Sequence, residues 1–133
     1  MPSSRDVRIK DAVCSFEPLP FRAPLKFGGR VVDKSFLINV EVTVETQGGA
    51  HATGFGSMPV GNVWAWPSAK LTGDQTELAM KEFAEEITDI GTQIPHHAHP
   101  LELMFGLAEE YEHLGKTIAN RHHFDDTFPK LAA

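Results

Sequence analysis

Three strand-like runs followed by two helix-like runs predict an α+β fold, a three-stranded antiparallel β-meander followed by a helical segment. Three observations carry this. Apolar residues alternate strictly from Lys34 to Thr46, a helical period takes over after Thr72, and the charge balance changes between the two. Residues 1–66 hold seven basic and six acidic side chains, net +1, whereas residues 67–133 hold five and twelve, net −7. The break marks a change from sheet to helices, since a domain linker would be longer and richer in Ser, Gly or Pro. With 133 residues and 14.7 kDa the chain is one domain, too short for a (β/α)₈ barrel of roughly 200 residues or more.

The elements follow in order. Asp6 to Phe16 reads as a strand within about residues 5–18, with Val7 and Ile9 on one face. Asp11 interrupts, and Ala12, Cys14 and Phe16 resume with shifted parity, which suggests a bulge or a strand gripped on both sides. Pro18, Pro20 and Pro24 oppose regular pairing, so Glu17 to Asp33 is expected to be a long loop with Gly28-Gly29 near its tip. The second strand, near 34–47, places Phe36, Ile38, Val40, Val42 and Val44 on one face and Ser35, Asn39, Glu41, Thr43 and Glu45 on the other. Gln47-Gly48-Gly49 supplies the positive φ angles of a hairpin turn. The third strand covers about 50–58, ends at Pro59, and includes Gly54 and Gly56, which leave room for a close neighbour. A second loop is expected from Met58 to Ser68.

Thr72 and Gln75 match a capping box that opens a helix over about 73–90. Its apolar stripe is Met80, Phe83, Ala84, Ile87 and Ile90, with Gly91 as the stop. Pro100 opens a second helix, to about 118, with Leu101, Met104, Phe105, Ala108, Tyr111 and Leu114 expected to face inward. Residues 120–133 show no period and are expected to be an irregular tail.

Composition excludes several functions. The net charge of −6 without a Lys/Arg cluster lacks the phosphate-neutralising footprint of a nucleic-acid binder. No apolar run approaches the ~20 residues of a membrane span, and Met1 to Lys10 is too polar for a secretory signal. Cys14 alone forms no intrachain disulfide, so a reducing, cytoplasmic setting is expected. Catalytic constellations are absent too. Six of the seven histidines fall between His96 and His123. They lack the spacing of a known zinc motif and read as solvated surface. Gly54-Phe55-Gly56 lies within a strand, not before a helix N-terminus where phosphate is cradled. Cys14 on an apolar face is an inert small hydrophobe, and Ser57 lacks a nucleophile elbow.

Two segments stand apart, Pro20 to Val32 with Arg22, Lys26 and Arg30, and Met58 to Ser68 with Met58, Val60, Asn62, Trp64 and Trp66; they read either as functional loops or as loops that fold over their own sheet and bury the tryptophans. They belong to the motifs Arg8-Ile9-Lys10-Asp11-Ala12-Val13, Leu19-Pro20-Phe21-Arg22-Ala23-Pro24-Leu25-Lys26-Phe27 and Gly54-Phe55-Gly56-Ser57-Met58-Pro59. In this order, with the valine-rich strand between the last two, they resemble the N-terminal capping domain of the enolase superfamily, in its mandelate racemase/muconate lactonizing enzyme group. The likeness covers roughly residues 5–120.

The resemblance implies a single capping-type domain over 1–133, either a fragment of a longer enzyme or a stand-alone domain, of the kind that closes over the mouth of a (β/α)-barrel absent from this chain. The complete enzyme would be a racemase or epimerase, cycloisomerase or dehydratase, an isomerase or lyase using Mg²⁺ and abstracting a proton α to a carboxylate. Its base and metal ligands would lie on the barrel, so this chain is expected to be inactive alone, with no catalytic or metal-binding residue. The implied substrate-binding residues are Arg22 and Lys26 on the first segment, and Met58, Val60, Asn62 and Trp64 on the second. The implied partners are the barrel domain and a small carboxylate, with oligomerisation possible. The alternative is a free-standing α+β binding module whose His-rich segment holds a metal or partner.

Overall fold

The computed structural model describes residues 3–27 and 29–133. It is a three-stranded antiparallel sheet in the order β1-β2-β3, with helices packed on one face, in agreement with the predicted class. The strands are β1 (Val7–Phe27), β2 (Arg30–Thr46) and β3 (His51–Val60). The helices are α1 (Asn62–Ala65), α2 (Gly73–Thr92), α3 (Pro100–Ala108) and α4 (Tyr111–Arg121), before a 3₁₀ turn at Lys130–Ala132.

The first strand is longer than expected. The segment read as a loop from Glu17 to Asp33 is strand on both sides of a turn, so β1 and β2 form an arm. Prolines fit because β1 is an edge strand. Thr46 N–H donates to the Ala50 carbonyl, which fixes the alternation of the ladder. Carried across the registers, it points the nitrogens of Pro18 (opposite Phe36) and Pro20 (opposite Lys34) away from β2. The register then slips between Pro20 and Leu25, which absorbs Pro24, and pairing resumes at Leu25–Val32. Gly29 has φ +77° in the turn, while Gly28 lies outside the described residues. The expected bulge near Asp11 is present between Ile9 and Asp11.

The second expected loop is replaced by the end of β3 and the short helix α1. Pro59 stays in the strand because its nitrogen also points outward.

Helix α2 starts with the predicted capping box, Thr72 Oγ1 accepting from Gln75 N–H and Gln75 Oε1 accepting from Thr72 N–H. It runs through Gly91, which is buried; a Cβ there would lie 3.7 Å from Ile9 and 3.8 Å from Leu107. Gly91 lies within the helix and does not terminate it.

The helix predicted over 100–118 is two helices, broken at Glu109-Glu110. Its expected inward stripe is corrected as well. Leu103 and Leu107 are buried, while Leu101, Met104 and Phe105 are exposed. α3 carries apolar residues on both faces, so period alone could not choose between them. In α4 the buried residues are Leu114, Gly115, Ile118 and Ala119.

The main core joins Phe36, Val60, Trp66, Leu71, Met80, Phe83, Leu114 and Ile118, with Phe124 and Phe128 from the supposedly irregular tail packed against it. A smaller cluster of Val7, Ile9 and Leu103 closes the other end. Among the described residues no helix is long and apolar enough to cross a membrane.

Candidate functional site

The arm and the segment after β3 meet at one end of the sheet. Arg30 donates from its guanidinium to the carbonyls of Ser68 and, at 3.4 Å, Leu71. Ser35 Oγ donates to the Val60 carbonyl, and Lys34 Nζ lies 3.6 Å from Asp74 at the start of α2. The arm is thus tied to the 60–74 segment by charge-assisted bonds from Arg30 to backbone oxygens, a hydroxyl bond from Ser35 and the Lys34–Asp74 ion pair.

Behind β3 lies an open apolar groove of about 390 Å³. Met58, Val60 and Trp64 line it, together with Met80, Phe83, Ile87 and Leu131. Met58 and Trp64 are 65% and 58% exposed, so large apolar surface stands uncovered there, whereas Val60 is buried at its base. The groove exists because α2 covers β1 and β2 and leaves the inner face of β3 bare. Trp66, two residues on from Trp64, faces the core instead. Its indole donates to Asp126 Oδ2 at 3.2 Å and packs 4.6 Å from the Phe128 ring.

The other expected binding residues lie elsewhere. Asn62 is buried outside this groove, and its Nδ2 donates to the Gly73 carbonyl (2.8 Å) and Thr76 Oγ1 (3.0 Å). It stitches α1 to the first turn of α2, and both amide hydrogens are engaged. Arg22 and Lys26 are exposed on the arm with no ion-pair partner among the described residues, and they line neither the groove nor the hollow beside Asn62. The structure therefore gathers Met58, Val60 and Trp64 and leaves Arg22, Lys26 and Asn62 apart from them.

Asp126, in the tail, had no sequence signal. Ser68 Oγ donates to it, and this bond above all, with that from Trp66, holds its carboxyl below the ordinary aspartate range. At the far end of the sheet Glu45 sits among Arg8, Lys10 and His51. The His51 hydrogen bond leads the causes that lower its pKa.

The histidines are dispersed. His99 Nδ1 caps α3 by accepting from Leu101 N–H, and His122 lies 2.7 Å from Glu82. Among the described residues no three His, Cys, Asp or Glu side chains are grouped to hold a metal. Burial pushes the Cys14 thiol up, away from the reactive thiolate. Chemically the groove offers an apolar surface.

Comparison with family models, with curated proteins and with solved structures finds no match.

Proposed function

We propose that this chain is a substrate-capping, specificity-determining domain of an enolase-superfamily enzyme of the mandelate racemase/muconate lactonizing enzyme group. One observation carries the proposal: the second segment lines an uncovered apolar groove, and Arg30 at the end of the first segment is bonded to the Ser68 and Leu71 carbonyls just beyond it. A cap needs this arrangement, with walls that exclude water on one segment and cations free of internal partners on the other.

In this reading Met58 and Trp64 face the barrel mouth, and Arg22 and Lys26 offer charge to a small carboxylate. A carboxylate leaving water must gain fixed donors, because an unpaired buried charge is prohibitive. The base, the Mg²⁺ and its ligands belong to the barrel, and the lone cysteine suits a reducing cytoplasm. Asn62 serves the cap by fixing α1, not by touching substrate.

The kinetic test is Lys26→Ala in the complete enzyme. KM should rise by an amount worth roughly 1–3 kcal/mol, the range for a charge-assisted contact, with the fold unchanged by circular dichroism. Unchanged kinetic constants in a folded Lys26→Ala enzyme would remove Lys26 from the site.

A further inference from the structure

The two edges of the sheet are built differently. β1 carries the devices that discourage further pairing: two register shifts, three prolines, the charges of Lys10, Asp11, Glu17, Arg22 and Lys26, and a bridge from Val7 to Ala98 over its start. β3 has none of them over most of its length. It pairs with β2 through ten consecutive residues without a bulge, carries no Asp, Glu, Lys or Arg, and meets its only proline at position 59. Every residue of β3 except Val60 is exposed.

The alternation set by the Thr46–Ala50 bond directs the N–H and C=O of Thr53, Phe55 and Ser57 outward. Among the described residues these groups meet no strand. Gly54 and Gly56 add a second observation. A Cβ at either would meet nothing within 4 Å, and neither has a positive φ. Internal packing and backbone conformation do not require glycine there. Such strand glycines leave room for another surface to approach β3 closely.

We propose that β3 pairs with β3 of a second copy of this chain, antiparallel, to form a continuous six-stranded sheet with Phe55 opposite the partner's Phe55 on the two-fold axis. The sequence is self-complementary in that register. On the outer face the two phenylalanines meet, and Thr53 stands opposite the partner's Ser57. On the inner face Gly54 stands opposite the partner's Gly56, and the bulky Met58 opposite the small Ala52 of the partner subunit. No like charges oppose each other, and the outward groups of residues 53, 55 and 57 are all used. Pro59, without an N–H, falls at the end of the pairing.

Sedimentation equilibrium of the 133-residue chain tests this. The wild type should sediment as a dimer of twice 14.7 kDa that dissociates on dilution. Phe55→Lys places two like charges together on the axis and should weaken association by at least ~tenfold. Ser57→Pro removes an outward donor while sparing the β2 ladder and should also give monomer. Phe105→Glu, on the exposed face of α3, should leave the dimer intact. Circular dichroism checks that each variant is folded, and because Phe55 is 68% exposed, Phe55→Lys decides if Ser57→Pro unfolds. A wild type that stays monomeric at millimolar concentration, a dimer that survives Phe55→Lys, or one broken by Phe105→Glu would each overturn the proposal.

Discussion

Asp126 shows how one carboxylate joins distant parts of the chain. It accepts from Ser68 and Trp66, some 60 residues earlier, and so ties the tail to the segment after α1. Its folded pKa is depressed, so its contribution to stability is fully present above the unfolded aspartate value of about 4 and is lost as pH falls through the lower folded value. Acid titration of Trp66 fluorescence in a Trp64→Phe background should show this loss below about pH 4. Asp126→Asn should remove that limb. An identical acid profile in Asp126→Asn would show that the carboxylate contributes nothing. Asn62 makes a second case. Asn62→Leu removes the donor to Thr76 Oγ1 and one of the two side-chain donors to the Gly73 carbonyl, and should cost about 1–3 kcal/mol in urea denaturation. Neither partnership was legible in the sequence, because a hydrogen bond between remote loops leaves no periodic trace. The capping box at Thr72 was legible, since its partners are three residues apart.

At the scale of elements, period two in β2 and the capped start of α2 identified the parts of the fold whose burial is one-sided. β1 was misread beyond Glu17 because prolines break central strands but not an edge strand whose nitrogens face outward. α3 was misread because Leu101, Met104 and Phe105 compete with Leu103 and Leu107 for the inward face. The choice is made by tertiary packing against Ile9, Gly91 and their neighbours, not by local pattern. The arm depends on Phe36, which is 1% exposed at the point where β1, β2 and α2 meet. Its ring packs edge-on 5.9 Å from Phe16, with Lys81 Nζ 4.7 Å from its centroid. Phe36→Ala should cost about 3–5 kcal/mol, measured as a lower urea midpoint. A loss below 1 kcal/mol would mean that the arm and α2 are not packed as described.

For the whole molecule, the decisive feature is unequal coverage. Helices shield β1 and β2, while the inner face of β3, Met58 and Trp64 remain open, and Arg22 and Lys26 on the arm have no ion-pair partner among the described residues. Of the candidate site, the exposed aromatic and methionine character of the second segment was legible as an amphipathic loop. The fact that its two tryptophans face opposite ways was not, since α1 had no sequence signal of its own. In the proposed capping role, this uncovered apolar end is the surface that would meet the barrel. The reading frame after the codon for Ala133 tests this directly. It should continue for roughly 200 residues or more of alternating strand and helix, with Lys-x-Lys and spaced Asp or Glu at strand ends. A stop codon immediately after Ala133 would contradict the capping role.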